Sequence, residues 1–348
     1  MREVRVVGAG LIGTSIALAL AGRGIRVEMV DSDQDRANLA QDLVGIATGE
    51  MAELVILALP TSHLRAVIKR EFGLNPRASF IDVGSIKAKP LAEIQTIPGL
   101  ASRFCGTHPM AGREIGGPQA ARADLFLGRP WIYTPSDDCD ANVIQNVLEL
   151  IEMLGAIPVR MSPAEHDSAV ALISHLPQIS ASLLAKQLHL APQSWLSLAG
   201  QGLRDSTRIA ASDPHLWREI IAINREQIRP LLSKLSEDLT ALIAHLNEDE
   251  AVAEFISKGK SGQARIPGKH GGTTRDYYYL PIVIEDKPGQ LGALFNECAK
   301  ANVNIEDLSI EHSPGQFTGL ITLALSRDDA EGLAQHLESR GWNVHLPR

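Results

Sequence analysis

The sequence predicts an α/β domain with a parallel sheet, followed by an all-helical domain and a small α+β domain. Short β-rich runs alternate with helical patterns over residues 1–162, strand runs vanish over 163–257, and both return over 277–348. Strands that alternate with helices are typical of a parallel sheet covered by helices on both faces. The glycine-rich segment 258–276 separates the last two regions, so we expect it to be a flexible linker.

The N-terminal region contains a series of short strands with helices between them. The predicted strands are Val4–Gly8, Arg26–Asp31, Leu54–Leu59, Ser79–Val83, Arg103–Thr107, Pro130–Thr134 and Ile157–Arg160. The predicted helices are Ile12–Arg23, Arg36–Leu43, His63–Glu71 and Asn142–Leu154. The last helix repeats apolar residues at helical spacing, which indicates that one of its faces is buried.

Long helical patterns fill the middle of the chain. They cover Ala164–Gln187, Ser194–Gly202, His215–Asn247 and Asp249–Ser257. Pro177 lies inside the first pattern, and we expect a kink there because proline cannot donate a backbone hydrogen bond. A helical domain that follows a nucleotide-binding fold often pairs with a second copy of itself, so we expect a homodimer.

The region after the linker predicts a second, smaller sheet. Its strands are Tyr277–Glu285, Asn304–His312, Phe317–Ser326 and Trp342–Leu346, and its helices are Gln290–Ala301 and Asp328–Arg340. The resulting order, βαββαβ, is that of the ferredoxin-like arrangement. The alternative to a passive linker is a basic arm that reaches cofactor phosphates through Lys258, Lys260, Arg265 and Lys269.

Composition and charge argue against several classes of protein. The formal net charge of -8 disfavours a nucleic-acid partner, because a phosphate-binding face needs an excess of basic residues. Cys105, Cys139 and Cys298 lie far apart and form neither a disulfide framework nor a metal-binding spacing, so we expect no metal and a reducing compartment. The N-terminus lacks a signal-peptide layout, and no apolar run approaches the roughly 18 residues of a membrane span. We therefore expect a cytoplasmic protein without a membrane partner.

The segment Gly8-Ala9-Gly10-Leu11-Ile12-Gly13 has the spacing of a dinucleotide-binding turn. It follows a predicted strand and opens a helix, as a Rossmann-type domain requires. Gly8 permits the tight turn, Gly10 lets the backbone approach a pyrophosphate, and Gly13 lets the helix pack on the strand. Leu11 and Ile12 begin the helix, whose free N–H groups attract phosphate.

Asp31 ends the second predicted strand, eighteen residues after Gly13. A carboxylate there can accept hydrogen bonds from ribose hydroxyl groups and would repel a 2′-phosphate, so we expect NAD rather than NADP. The alternative is that Asp31 is only a turn residue. Pro60 and Thr61 follow the third strand, and we expect their loop to cover the nicotinamide.

His108 lies at the carboxyl end of a predicted strand, within Gly106-Thr107-His108-Pro109-Met110-Ala111-Gly112. Ligands of open α/β sheets bind at this edge, where the segments that contain Pro60 and Ser85 also begin. A neutral imidazole can accept a proton near pH 7, so we expect His108 to be a general base. The alternative is a structural histidine whose hydrogen bonds are satisfied.

Two polar clusters interrupt the helical region. Arg204 and Arg208 are one helical turn apart, and guanidinium groups bind carboxylates bidentately, so this pair predicts an anionic ligand. The alternative is salt bridges to Asp205 or Glu219. The second cluster is Ser174-His175-Leu176-Pro177-Gln178, whose polar residues are expected to line a cavity beside the kink. For its histidine, the alternative is a core residue.

Three motifs together resemble the prephenate and arogenate dehydrogenases of tyrosine biosynthesis. They are G-T-H-P-M-A-G-R-E at 106–114, S-H-L-P at 174–177 and G-L-R-D-S-T-R-I-A-A-S-D-P-H-L-W at 202–217. The resemblance covers nearly the whole chain. It implies that His108 takes the proton of the substrate's C4 hydroxyl group, that Ser85 orients both His108 and that hydroxyl group, and that Arg208 holds a carboxylate. Glu114 and Trp217 match residues of the substrate pocket.

The resemblance implies NAD-dependent oxidative decarboxylation of prephenate, with arogenate as the alternative substrate. Gln178 stands where many relatives carry a histidine that helps to recognise the substrate's side chain, so the choice between these substrates stays open. A dehydrogenase of another family that carries an amino-acid-binding ACT domain, such as one acting on phosphoglycerate, is disfavoured, because its nucleotide fold is inserted in a split substrate domain, whereas here the dinucleotide-binding turn begins at Gly8. A β-hydroxyacid dehydrogenase would need a helix-borne lysine that 174–178 lacks. The remaining alternative is a protein that is not an enzyme, namely a sensor of NAD and amino acids.

The C-terminal region resembles an ACT domain, a small regulatory module that binds amino acids. The segment Asp286-Lys287-Pro288-Gly289-Gln290-Leu291-Gly292 matches the ligand loop, with Asp286, Gly289, Gln290 and Leu291 as candidate contacts. Backbone N–H groups at a helix start can hold an α-carboxylate. Asn304 of a partner module would complete the site. The implied effector is tyrosine or else phenylalanine, and the alternative is a dimerising module without a ligand.

Overall fold

The computed structural model describes residues 1–45, 51–112, 116–266, 277–312 and 317–346. The chain divides into two compact units, Met1–Glu237 and Asp238–Arg348. The first unit contains the predicted α/β domain and most of the helical region. The second contains the end of the helical region and the small α+β region.

A seven-stranded sheet forms the centre of the first unit. Its strands are β1 (Glu3–Val7), β2 (Arg26–Val30), β3 (Leu54–Leu57), β4 (Ser79–Asp82), β5 (Phe104–Pro109), β6 (Pro130–Thr134) and β7 (Ile157–Arg160). Their order is β2-β1-β3-β4-β5-β6-β7, and β1 to β5 run parallel to one another. The predicted parallel Rossmann-type sheet is confirmed for these strands, whereas β6 pairs antiparallel with β5 and parallel with β7.

The reversal at β6 follows from the connection that precedes it. A parallel neighbour needs a crossover connection, which is usually an α-helix. In the described part of the connection from Pro109 to Pro130, the helical segment is a 3-10 turn at Pro118–Ala120. The chain therefore returns beside β5 in the opposite direction, which sets His108 opposite Ile132.

Helices cover both faces of this sheet, as predicted. They are α1 (Leu11–Ala21), α2 (Gln34–Val44), α3 (Thr61–Leu74), α4 (Ala88–Gln95) and α5 (Ala141–Met153). Ile16 of α1 and Val147 of α5 belong to one core, and Ile68 of α3 and Ile94 of α4 belong to the other. The sequence pattern did not predict α4, because this helix is only 8 residues long and carries a proline in its first turn.

The helical region continues with α6 (Pro163–Val170), α7 (Leu176–Gln187), α8 (Gln193–Leu196), α9 (Gln201–Thr207), α10 (Pro214–Ile223) and α11 (Arg225–Ala244). A π-helical turn at Ala171–His175 joins α6 to α7. It lies just before Pro177, which cannot donate the hydrogen bond of a regular helix. The expected single helix over 194–202 is instead α8 and the start of α9. The expected helix over 215–247 is broken at Asn224 into α10 and α11.

The run from Pro163 to Leu190 is long and apolar enough to cross a membrane, by length and composition only. This corrects the expectation that no apolar run approaches that length. The buried side of the run, however, carries His166, Asp167 and His175. Ionisable side chains are costly in hydrocarbon, whereas a protein interior can pair them with hydrogen-bond partners. We therefore interpret the run as part of the folded helical region, with these three residues on its buried side.

The second unit holds a four-stranded antiparallel sheet with two helices on one face. Its elements are α12 (Asp249–Gln263), β8 (Tyr278–Glu285), α13 (Gln290–Lys300), β9 (Asp307–His312), β10 (Thr318–Leu325), α14 (Arg327–Ser339) and β11 (Asn343–Val344). The order across the sheet is β11-β8-β10-β9. Leu294 of α13 and Leu333 of α14 pack with Ile282, Ile321 and Leu323 in its core.

The helix before the predicted linker is longer than expected. The helix α12 continues to Gln263 rather than ending at Ser257, so the first residues of 258–276 are helical. An ion pair between Lys258 and Glu254, at 2.7 Å and four residues apart, supports this extension. Residues 267–276, which contain most of the glycines and Lys269, lie outside the described residues.

Candidate active site

The dinucleotide-binding turn depends on two glycines for its packing. Gly8 has a φ of +116°, and a Cβ atom there would lie 2.0 Å from the carbonyl oxygen of Ala58. A Cβ at Gly13 would lie 2.0 Å from the carbonyl oxygen of Gly8. At Gly10 a Cβ would meet no atom of the described residues within 4 Å, so packing against them does not explain this glycine. Gly10 caps α1 without a side-chain hydrogen bond, which leaves the first N–H groups available to a phosphate.

Asp31 lies directly beside this turn. One carboxylate oxygen accepts a hydrogen bond from the backbone N–H of Ala9 at 2.7 Å, and the other accepts from the backbone N–H of Asp33 at 2.9 Å. Asp31 therefore does make the backbone hydrogen bonds that the alternative interpretation, a turn residue, requires. These contacts also hold the carboxylate at the edge of the turn, where it can accept further hydrogen bonds from a ribose. An NAD molecule fits this arrangement, which combines the glycine-rich turn, the free N-terminus of α1 and the Asp31 carboxylate.

Two further segments end at the same sheet edge. Pro60 caps the N-terminus of α3, and Thr61 is its first residue. A Cβ at Gly84, just after β4, would lie 3.5 Å from the hydroxyl oxygen of Thr61. The loops after β3 and β4 are therefore in close proximity. Ser85 is half-buried next to Gly84, and within the described part of the chain its hydroxyl group makes no hydrogen bond to His108.

His108 is joined to a second histidine that the sequence analysis did not identify. The Nδ1 atom of His108 lies 2.9 Å from the Nε2 atom of His166, and the ring centroids are 5.1 Å apart. The Nδ1 atom of His166 lies 2.8 Å from a carboxylate oxygen of Asp167. His166 is fully buried and Asp167 is almost so. In the sequence these two residues stand in the polar run Glu165-His166-Asp167-Ser168, which gave no sign that they are buried.

Asp167 is anchored at the start of α4. Its carboxylate accepts hydrogen bonds from the backbone N–H groups of Lys87 at 2.8 Å and Ala88 at 2.9 Å. The backbone carbonyl of Asp167 accepts a hydrogen bond from the Asn224 amide at 2.8 Å. The same amide nitrogen lies 3.2 Å from Nδ1 of His175. The break between α10 and α11 thus brings Asn224 to the site.

A buried ion pair lies beneath the end of β5. The Lys87 ammonium group contacts the Asp82 carboxylate and donates a hydrogen bond to the backbone carbonyl of Thr107 at 2.7 Å. Asp82 also accepts from the backbone N–H groups of Gly84 at 3.0 Å and Thr107 at 3.3 Å. These bonds connect the ends of β4 and β5, so they fix the position from which His108 projects.

The surroundings of His108 and His175 keep both of these histidines neutral. Burial, together with the neighbouring His166, Lys87 and His175, holds the pKa of His108 well below its ordinary value of 6.5. Burial lowers the pKa of His175 to about 4, although the nearby Asp167 carboxylate opposes the shift. A neutral His108 can accept a proton, which is the property that a general base requires.

The predicted substrate-binding residues fall into two groups. Gln178 is buried, and its amide accepts a hydrogen bond from Ser212 at 3.3 Å. The rings of His175 and Trp217 are in edge-to-face contact at 5.9 Å, and a cavity of about 260 Å³ is lined in part by Gln178 and Trp217. Arg204 and Arg208 are exposed, and they do not share one helix, because α9 ends at Thr207. Glu114 lies outside the described residues.

The second unit contains a separate cavity at the predicted effector loop. It has a volume of about 380 Å³, and its lining includes Asp286, Gly289, Gln290 and Leu291. Gly289 has a φ of +91° at the start of α13. Asn304 is not among the lining residues described in this chain, and its amide instead donates to Glu306 at 3.1 Å.

Comparison with known proteins places this geometry in a family. Residues 16–159 match the nucleotide-binding domain of prephenate dehydrogenase, and residues 162–257 match its dimerization domain. The chain is 32% identical to a probable prephenate dehydrogenase, NovF, from Streptomyces niveus, over 98% of this chain and 99% of that protein.

Two solved structures are similar over three quarters of the chain. A prephenate dehydrogenase from A. aeolicus, in complex with hydroxyphenyl propionate and NAD+, is 28% identical with a TM-score of 0.68, and the match covers 76% of this chain and 98% of that chain. Arogenate dehydrogenase from Synechocystis is 27% identical with a TM-score of 0.64, and the match covers 76% of this chain and 99% of that chain. With the dinucleotide-binding turn and His108 at one sheet edge, these matches show that the chain is an NAD-dependent oxidoreductase of the prephenate dehydrogenase family.

Proposed function

We propose that the chain is a prephenate dehydrogenase, which converts prephenate and NAD+ to 4-hydroxyphenylpyruvate, carbon dioxide and NADH in tyrosine biosynthesis. The observation that carries this proposal is the neutral, hydrogen-bonded His108 at the same sheet edge as the dinucleotide-binding turn. NAD, when bound, supplies the hydride acceptor. Gly8, Gly10, Gly13 and Asp31 would hold it at this edge.

In this reaction His108 acts as the general base. Its free ring nitrogen takes the proton of the C4 hydroxyl group while the C4 hydride leaves, so that C4 becomes a carbonyl carbon. The ring carboxylate then departs as carbon dioxide, and its bonding electrons complete the aromatic ring. The phenol oxygen recovers a proton from His108, so the base is regenerated. We expect Ser85, at the end of the neighbouring strand, to orient the hydroxyl group during these steps.

The substrate's two carboxylates need cationic partners, and Arg208 and Arg204 are the candidates. The cavity lined by Gln178 and Trp217 supports a pocket for the rest of the molecule, and His175 contacts the Trp217 ring. Substitution of Arg208 by lysine would keep the charge but lose bidentate binding, so we expect KM for prephenate to rise about tenfold or more with a smaller change in kcat. A fall in kcat with an unchanged KM would contradict this role.

Arogenate is the second candidate substrate. Gln178, which stands where many relatives carry a substrate-recognising histidine, is the feature that leaves the choice between prephenate and arogenate open. The decisive experiment is an assay of the purified chain with prephenate and arogenate, each with NAD and with NADP. We expect NADH formation with prephenate and a strong preference for NAD. A higher kcat/KM with arogenate would reassign the substrate, and no activity with either would favour a non-catalytic sensor of NAD and amino acids.

We also propose that residues 277–348 form an ACT-like regulatory domain of ferredoxin-like fold. The βαββαβ order and the cavity at Asp286 and Gly289 support it. Calorimetry of the full chain with tyrosine and with phenylalanine tests the effector. Heat of binding that disappears in Gly289→Val would support this site, whereas no heat with either amino acid would favour a module without a ligand.

A cytoplasmic homodimer is the assembly that we propose. The helical region leaves large apolar side chains exposed in the single chain, among them Ile173 at 61%, Leu190 at 89%, Trp195 at 69% and Leu198 at 82%. Burial of such a surface is favourable, and a second copy would cover it. Light scattering of the purified protein tests this, and a monomer at micromolar concentration would contradict it.

A further inference from the structure

We infer that His166 and Asp167 form a positioning pair, which holds His108 in the neutral tautomer that carries its proton on Nδ1 and leaves Nε2 free to accept the substrate's proton. The inference rests on the proposed function, because it concerns the base of that reaction. Neither residue was expected from the sequence to take part in the site.

The tautomer follows from the order of the hydrogen bonds. An ionised carboxylate only accepts hydrogen bonds, so the Nδ1 atom of His166, at 2.8 Å from Asp167, must carry a proton. In a neutral imidazole the other nitrogen is then an acceptor, which makes Nε2 of His166 the acceptor in its 2.9 Å contact with His108. The Nδ1 atom of His108 must therefore be the donor, and its Nε2 atom carries the free lone pair.

The carboxylate at the end of this chain is well fixed. Both of its oxygens accept backbone hydrogen bonds from the first residues of α4, Lys87 and Ala88. The start of α6 is set by a capping box between Ser162 and Glu165, which fixes the turn that carries His166. Backbone hydrogen bonds thus hold the Asp167 carboxylate, and the capping box holds the start of α6. His166 lies between them and presents Nε2 to His108.

The charges around His108 explain why such a pair is needed. Among the described residues, the groups that act on its ring are His166 of α6, His175 of the π-helical turn and Lys87, which is paired with Asp82, and Asp167 lies behind His166. The ammonium group of Lys87 disfavours a positive charge on His108, both at rest and after it accepts a proton. Asp167, reached through His166, is the counter-charge that stabilises the imidazolium formed during the reaction, as a buried carboxylate does behind the histidine of a catalytic triad.

Kinetics of substituted proteins test the pair. His166→Leu removes the acceptor for the Nδ1 proton, so we expect kcat to fall roughly 10²-fold or more, with KM changed less than about threefold. His166→Gln places an amide oxygen near the position of Nε2, so it should recover at least about tenfold of that loss. His189→Leu is the matched control, because His189 is an exposed histidine of the same helical region. Its kcat and KM should equal those of the unsubstituted protein.

A second measurement reads the tautomer directly. In the protein with 15N-labelled histidine, the chemical shifts of the ring nitrogens distinguish protonated from unprotonated nitrogen, and loss of signals in His108→Asn assigns those of His108. We expect a protonated Nδ1 and an unprotonated Nε2, with a mixture of tautomers in His166→Leu. If the unsubstituted protein shows an unprotonated Nδ1, or if His166→Leu keeps kcat within about threefold, the inference is wrong.

These readouts separate the inference from the proposed function. If the unsubstituted protein oxidises neither prephenate nor arogenate, the proposed function fails, while the nitrogen spectrum still decides the tautomer. If His166→Leu fails to fold, it shows no thermal unfolding transition. In that case the kinetics of His166→Gln and the nitrogen spectrum of the unsubstituted protein test the inference. An inactive but folded His166→Gln, equal to His166→Leu, would also overturn the inference.

Discussion

Substitution of Lys87 by methionine provides a strong test of the buried charges beneath the active site. Lys87 is 1% exposed and Asp82 is 3% exposed, and each is the other's partner. Removal of one partner from a buried ion pair typically costs about 3–5 kcal/mol, because the other charge is left uncompensated. Asp82 would keep its backbone donors, Gly84 and Thr107, so we expect a loss near the lower limit, about 3 kcal/mol.

The assay is unfolding in urea at pH 7. Lys69→Met is the matched control, since Lys69 is exposed on α3, and we expect a change within about 0.5 kcal/mol. In the double variant Lys87→Met/Asp82→Asn the orphaned charge is absent, so roughly half of the lost stability should return. A loss below about 1 kcal/mol in Lys87→Met would refute the conclusion that this pair is charged and buried.

The same substitution predicts a change in pH dependence. The positive charge of Lys87 helps to lower the pKa of His108, so its removal raises that pKa. A general base works only when it is unprotonated, so activity is lost as the pH falls through its pKa. The acid limb of kcat/KM should therefore lie below pH 6.5 in the unsubstituted protein and move to higher pH in Lys87→Met. A limb that stays in place would show that Lys87 does not act on His108.

Further predictions concern the base and the cofactor turn. His108→Asn should lower kcat by about 10²–10⁴-fold in steady-state assays, with prephenate still bound, because general-base help is lost. Asp31→Ala should reduce the preference for NAD over NADP by roughly tenfold or more, as measured by the two kcat/KM values; an unchanged preference would leave Asp31 as a turn residue only. Gly8→Ala should destabilise the fold by about 3 kcal/mol or more in urea, because its Cβ would meet the backbone of Ala58 at 2.0 Å. Gly10→Ala is the paired comparison, which should keep stability and weaken NAD binding.

The local pattern of residues was sufficient for most of the fold. Alternating strand and helix runs are periodic over many residues, so the parallel strands β1 to β5 and the helices α1, α2 and α3 could be predicted with only small shifts in their ends, whereas the short helix α4 could not. The dinucleotide-binding turn and Asp31 were recognisable because their spacing is fixed by backbone geometry. His108 was recognisable because it lies at a strand end between glycines. Each of these features depends on neighbours in the chain.

The remaining features depend on residues that are distant in the chain. His166 meets His108 across 58 positions, and Asn224 reaches Asp167 across 57, and no periodicity marks such single contacts. The direction of β6 likewise depends on its antiparallel pairing with β5, which lies more than twenty residues earlier in the chain. The sequence by itself thus determined the Rossmann-type sheet, the helical domain and the NAD cofactor, and it predicted His108 as the base. Only the tertiary structure decided which buried charges surround that base, because a pKa and a tautomer depend on the positions of atoms that folding brings together.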